Sequence, residues 1–295
     1  MMNEQPPERR RVHPLEEQPP TPPPGHPNDP NAPRRTPVKL RIPAVRPLVT
    51  YAFLAINVIV FIVRAISPSL DNSIYLWGAN NQTAIFQNGE LYRLVTSMFL
   101  HAGIYDRFGS FAFENALHLV FNAYIIYVTG RMIEPLFGHV RFALIYLLGG
   151  ITGAIASAIL SPAYVSSVGA SGAAFAILGA EFVYLYKHRK LLGLRAQAQM
   201  QSLLMLGLIN LAYGFVSSLG AGTLAIDNWA HIGGAVGGLV LSWFIAPFFL
   251  VRRHPEEPEA LLAEDVNPLK ARTGTVALYI SALLIVLIIG TRLVG

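Results

Sequence analysis

Seven apolar runs follow one another along this chain, near residues 49–66, 115–135, 138–160, 170–187, 200–219, 228–250 and 273–294. A bilayer core takes about 20 apolar residues per helix, and it offers no water to an open backbone. Runs of this length and number predict an all-α, multi-pass membrane protein with seven spans. The composition agrees: 53% of the 295 residues are hydrophobic and 13% are charged, against about a quarter charged in soluble domains. Mean hydropathy is +0.45. The chain has no cysteine, which excludes a disulfide framework, a thiolate nucleophile and a Cys-based metal site.

Residues 1–46 are rich in proline, as in "PPTPPPGHPNDPNAPRRTP". They hold too little apolar surface to offset the entropy of ordering, so a disordered, solvated tail is expected. A docking role for PPTPPP is the other reading. The polar start has no early apolar core and does not read as a secretory signal peptide. The longest gap between runs, 67–114, carries Tyr75, Trp77, Phe86, Tyr92 and Phe99, among other aromatics. That density suits a structure at the lipid headgroups.

Basic residues set the orientation. Lys39, Arg41 and Arg46 precede the first run; Lys187, Arg189, Lys190 and Arg195 follow the fourth; Arg252, Arg253, Lys270 and Arg272 follow the sixth. Loops 161–168 and 220–227 have neither Lys nor Arg. The positive-inside rule then puts the N-terminus in the cytoplasm. The large loop, the starts of helices two, four and six, and the C-terminus face outward.

Polar groups inside a membrane cost free energy and invite a functional reading. "ALHLVFNAY" holds His118 and Asn122, four residues apart and so on one helix face. "SSVGASGAAF" puts Ser171 at the outer start of helix four, and "NWAHIGGAVGG" puts His231 near the outer start of helix six. Taken singly, Ser171 reads as a cap or small packing residue, and the histidines as interhelical hydrogen-bonding groups. Together they fall at one depth. Gly233, Gly234, Gly237 and Gly238 on helix six, with Gly172 and Gly179 on helix four, permit close backbone approach. Such packing would bring His231 to Ser171. A Ser–His pair performs acyl transfer: the imidazole takes the hydroxyl proton and later gives it to the leaving amine. His118, Asn122 and the Ser171 amide are candidate oxyanion donors. Asp227 lies four residues before His231, toward the loop, so a dyad is preferred to a triad.

The set Gly169-Ala170-Ser171-Gly172, Ala230-His231 with Gly233 and Gly234, and His118-Leu-Val-Phe-Asn122 resembles the rhomboid family of intramembrane serine proteases. "GELYRLVTSMFLHAG" (89–103) is similar to that family's first loop, and "GRMIEPLFG" (130–138) to the segment between its helices two and three. The resemblance runs from about 48 to 250. It implies a six-helix catalytic domain at 47–250, a cytoplasmic linker at 251–272 and a seventh helix at 273–295. It also implies a Ser171–His231 dyad in an outward-opening water-filled cavity, with His118 and Asn122 stabilising the oxyanion. Gly169 and Gly172 would support the serine, and Phe175 would pack on the imidazole. The implied substrates are single-span membrane proteins cut near the outer face. No metal, cofactor or nucleic-acid partner is expected. A bacterial inner membrane is the expected location, with the bilayer as the constant partner; the sequence says nothing of oligomeric state.

One departure stands out. The family commonly has a histidine five residues before the position of His118; here that place is Phe113, and His101 stands seventeen residues upstream. "IYDRFGSFAFEN" reads as an insertion between them. A catalytically inactive rhomboid-like protein that binds membrane clients is the alternative function; such relatives usually lack the serine or the histidine. A transporter would need a polar path across the whole bilayer, whereas the polar residues here cluster at the outer half; Glu181, about 15 Å below Ser171 by helix rise, is the exception. No HExxH motif supports a metalloprotease.

Overall fold

The computed structural model describes residues 39–105, 110, 113–219, 226–253 and 260–294. The expected disordered tail therefore lies outside the described residues up to position 38, as does part of the insertion before His118. Within the span expected of the tail, Lys39–Arg41 form a short strand, β1.

Eleven α-helices occur among the described residues, seven of them with at least 17 residues. The long ones are α1 (Leu48–Arg64), α5 (Phe113–Phe137), α6 (His139–Leu160), α7 (Ser171–Lys187), α9 (Leu194–Leu219), α10 (Asn228–Ile245) and α11 (Thr273–Leu293). The short ones are α2 (Pro68–Gly78), α3 (Gln82–Phe86), α4 (Arg93–Thr96) and α8 (Arg189–Leu192). The protein is an all-α membrane bundle. By length and apolarity alone, four helices could cross a membrane: Asn115–Phe137, His139–Leu160, Leu194–Ser217 and Leu269–Leu293. The rest fall short for physical reasons. Helices α1 and α7 have 17 residues each. Helix α10 spends much of its length on glycine, Asn228 and His231.

Helices α6, α7 and α10 form the centre. Phe142, Ile145, Tyr146, Ala173, Ile177, Leu241 and Ile245 are completely or almost completely buried between them. Small residues set their spacing. A Cβ on Gly234 would stand 2.0 Å from the Gly172 carbonyl oxygen, so only glycine allows α10 to lie this close to α7. Helices α9 and α11 line the outside, where Leu204, Ile209, Val216, Leu284 and Ile288 are exposed. Exposed aliphatic faces of this kind are what lipid covers.

The start of α1 is held from another helix. The Glu134 carboxylate, fully buried on α5, accepts from the Val49 and Thr50 N–H groups at 2.9 and 2.7 Å and from the Thr50 hydroxyl at 2.6 Å. His139 Nδ1 shares the same carboxylate at 2.6 Å. These are two of the donors that an α-helix start leaves without intrahelical partners, and a negative charge suits that end of the dipole.

The long loop between α1 and α5 is more ordered than an interfacial reading requires. Arg64 and Asp71 form a buried ion pair at 2.8 Å, and Arg64 Nη1 donates to the His101 carbonyl at 2.6 Å. Strand β2 (Asn80–Asn81) pairs antiparallel with β3 (Ser166–Ser167), which joins this loop to the approach to α7. Only part of its aromatic surface is free: Trp77 stacks on Tyr92 at 5.1 Å and both are exposed, whereas Phe86 is buried.

Two helix ends differ from the sequence expectation. The sixth run, read as helical to 250, ends at Ile245, because Pro247 forces Ala246 into an extended conformation, ψ 142°. The chain then forms a hairpin, β4 (Phe249–Arg253) with β5 (Ala260–Asp265), where a linker was expected. Helix α9 begins at Leu194 rather than 200, since "LRAQAQ" is polar but strongly helix-forming.

Candidate active site

Ser171 is the first residue of α7. The turn before it depends on Gly169, whose φ of +139° is rarely adopted by residues with a side chain. Its N–H donates to the Ser97 carbonyl at 2.9 Å, which ties the turn to the long loop. A Cβ at this position would stand 3.0 Å from His118 Cε1, 3.1 Å from His118 Nε2 and 3.6 Å from Ser171 Oγ. The absent methyl group is thus the space between the His118 ring and the serine hydroxyl.

His231 sits in the first turn of α10 and is buried. Its ring stacks on Phe175, one turn below Ser171 on α7, with centroids 4.4 Å apart and planes at 13°. The same helix therefore carries the serine and the surface against which the imidazole lies. Gly172 and Ala230 meet between them: a Cβ on Gly172 would be 3.3 Å from the Ala230 carbonyl oxygen. Ser171 and His231 are not hydrogen-bonded to one another, and His231 Nδ1 is buried with no hydrogen-bond partner among the described residues.

Asp227 is engaged elsewhere. Its Oδ1 accepts from the Ala230 N–H at 3.0 Å, capping α10, and its Oδ2 accepts from the Ser157 hydroxyl. Both hydrogen bonds hold the helix start, and His231 Nδ1 makes none with this carboxylate. Asn122 is buried one turn beyond His118 and donates from Nδ2 to the His118 carbonyl at 2.9 Å. That hydrogen bond uses one of its two amide hydrogens. Glu181 is buried lower on α7 and accepts from Gln199 Nε2 of α9 at 2.9 Å, away from the serine.

Sequence spacing does not reveal where His101 goes. Its ring lies edge-on to His118 with centroids 5.3 Å apart, so the chain brings the two together across the insertion. Both His101 ring nitrogens are buried without a partner among the described residues. Burial, then the neighbouring His118 and Arg64, lowers the pKa of His101 well below its ordinary value and keeps the ring neutral. The Ser157–Asp227 pair, the Ser97 contact and the Arg64 clamp on the His101 carbonyl also escape sequence reading. They join residues 37 to 72 positions apart with no periodic signal.

In chemical terms the arrangement offers a hydroxyl at a helix start, a buried imidazole one helix away and two further donors, His118 and Asn122, on the neighbouring α5. Among the described residues no cluster of His, Cys, Asp and Glu could hold a metal ion. Similar proteins include Rhomboid protease GluP of Bacillus subtilis (strain 168), 37% identical over 195 residues, which covers 65% of this chain and 34% of that protein. RHOMBOID-like protein 6, mitochondrial, of Arabidopsis thaliana is 34% identical over 168 residues, 57% of this chain and 48% of its own. Inactive rhomboid protein 1 of Homo sapiens is 36% identical over 159 residues, 54% of this chain and 16% of its own. This chain thus spans less than half the length of each of these relatives. The family model described as Rhomboid domain matches residues 88–248, more than half of the sequence, and the chain belongs to the rhomboid family.

Proposed function

We propose that this protein is an intramembrane serine endopeptidase acting on the transmembrane segments of other proteins through Ser171 and His231. The observation that carries this reading is the stacking of His231 on Phe175 at 4.4 Å, which fixes the imidazole against the helix that begins with Ser171. Proton transfer needs Oγ and Nε2 at roughly 3 Å, and such contacts commonly tighten only with substrate bound.

His231 takes the hydroxyl proton as Ser171 Oγ bonds to the scissile carbonyl carbon. The oxyanion forms next to the Ser171 amide, the His118 ring and the second N–H of Asn122, donors held in place before the charge develops. The imidazolium then protonates the leaving amine, the C–N bond breaks and an acyl-serine remains. Water, deprotonated by His231, attacks the ester and releases the new carboxylate and the free serine. On this reading the N-terminus is cytoplasmic, the site faces outward, and a bacterial inner membrane is the proposed location.

A fluorophosphonate tests the proposal without a known substrate. The purified protein in lipid should be labelled at Ser171, located by mass spectrometry, and Ser171→Ala and His231→Ala should abolish labelling while remaining folded. The second reading is a client-binding protein without activity. It is favoured by the missing Ser171–His231 hydrogen bond and by the similarity to Inactive rhomboid protein 1. A folded protein that neither labels nor cuts a transmembrane substrate would establish it.

A further inference from the structure

The end of the bundle opposite Ser171 holds a cavity of about 420 Å³ lined by Lys187, Trp243, Phe244, Phe248, Asn267 and Arg272, among others. Lys187 ends the helix that Ser171 begins, so the two sites are about 24 Å apart by helix rise. The cavity forms where three parts of the chain meet: the ends of α7 and α10, the turn after β5, and the approach to α11.

Its charges are unbalanced. Lys187 Nζ donates to the Trp243 carbonyl and lies 5.6 Å from the Trp243 ring centroid. Arg272 Nε donates to Asn267 Oδ1 at 2.6 Å. These partners are neutral, and neither cation has a carboxylate partner among the described residues. The two charges repel each other across the site. Asp265 borders the cavity, but its Oδ2 binds Arg141 at 2.8 Å, and its Oδ1 accepts from the N–H groups of the lining residues Phe248 and Asn267 at 3.0 Å each.

The apolar part of the lining is exposed at the protein surface. Trp243 and Phe244 are exposed, and above them Val236 and Val240 continue the stripe at four-residue spacing along α10. Aromatics of this kind sit at headgroup level. Two cations at the base of a lipid-facing apolar stripe match a phosphate with acyl chains attached, as in basic pockets between transmembrane helices. We infer that this cavity binds the phosphate of an anionic phospholipid headgroup between Lys187 and Arg272, with the acyl chains lying along Val236, Val240 and Phe244. The bound lipid would join the start of α11 to the ends of α7 and α10.

The experiment uses the full chain in nanodiscs of phosphatidylglycerol or phosphatidylcholine and counts retained lipid by native mass spectrometry. The wild type should keep phosphatidylglycerol over phosphatidylcholine by about tenfold or more. Lys187→Gln with Arg272→Gln should bring the two lipids to parity. Arg189→Gln with Lys190→Gln, which follow Lys187 in sequence but lie outside the cavity lining, should leave the preference intact. Equal retention of both lipids by the wild type would overturn the inference, as would equal loss in both double variants. A third arm adds millimolar inorganic phosphate in phosphatidylcholine. Stoichiometric phosphate that Lys187→Gln and Arg272→Gln abolish would keep the anion site but assign it to the free ion. Trp243 provides a second measurement, independent of retention. In a Trp77→Phe, Trp229→Phe background its fluorescence should be quenched more by brominated phosphatidylglycerol than by the brominated choline lipid, and equal quenching would count against the site.

Discussion

A methyl group at position 169 would press on the His118 ring from one side and approach Ser171 Oγ from the other. Gly169→Ala carries two costs. The backbone φ of +139° is strained for alanine, at about 1–3 kcal/mol, and His118 has to move. The expected outcome is a protein that folds but whose fluorophosphonate labelling at Ser171 slows by roughly tenfold or more. Labelling rate and thermal midpoint measured together check this, and an unchanged rate would remove Gly169 from the site. Asn122→Ala should lower turnover of a transmembrane substrate by about 10²-fold. The midpoint should change little, since the hydrogen bond lost is a local one to the His118 carbonyl. An unfolded Asn122→Ala would make the residue structural. At this scale much of the candidate site could be read from sequence. His118 and Asn122 share a face by spacing, and alternating topology brings Ser171 and His231 to the same end. What could not be read are contacts fixed by packing alone: His101 against His118 across the insertion, and Asp227 turned to Ser157 and its own helix.

Elements were legible where apolarity and length agree, as in α5, α6 and α11. They were less legible where a breaker lies inside an apolar run or a helix former outside one, as at Pro247 and "LRAQAQ". The β4–β5 hairpin was missed because its strands are short and mixed in polarity, and it matters for how α7 ends. His188, just past α7, has Nδ1 2.9 Å from the Tyr184 carbonyl and accepts at Nε2 from the Phe249 N–H at 3.0 Å. That pair of contacts fixes the neutral tautomer with hydrogen on Nδ1. Burial lowers its pKa, and Lys187 adds to the shift while the Tyr184 carbonyl and Asp265 oppose it. The unfolded chain therefore takes up this proton first. Stability from the His188 joint is complete above about pH 6.5 and declines as pH falls toward the lower folded value. Protonation at Nε2 would set two donors face to face and release β4. Wild type should lose more thermal stability between pH 7.5 and 5.5 than His188→Gln does. Parallel pH profiles for the two would show that another group governs acid sensitivity.

Taken as a whole, the molecule holds its last helix along a seam that runs from Val276 and Tyr279 through Leu283 to Leu287 and Val294. Near its start, the Tyr279 hydroxyl of α11 hydrogen-bonds Thr152 Oγ1 of α6 at 2.6 Å. Near its end, Leu287 packs with Ile85 and Phe86, and Gly290 lies directly against the Phe86 ring. Phe86 ends α3, which follows β2; β2 pairs with β3, and β3 leads through Gly169 to Ser171. Helix α11 lies outside residues 88–248, the part that matches the Rhomboid domain, yet this path links it to the candidate nucleophile. Gly290→Leu tests the link, because a Cβ there would stand 2.7 Å from Phe86 Cε1. Overpacking of this kind costs about 1–3 kcal/mol, or roughly 2–10 °C in the thermal midpoint of a chain this size. If the path is rigid, displacement of Phe86 should reach β3 and slow labelling at Ser171 several-fold. Val286→Leu, on an exposed face of the same helix, should change neither quantity. A lower midpoint with unchanged labelling would make α11 a stabilising helix with no hold on the site. No change in either would mean that α11 packs independently of the loop it touches.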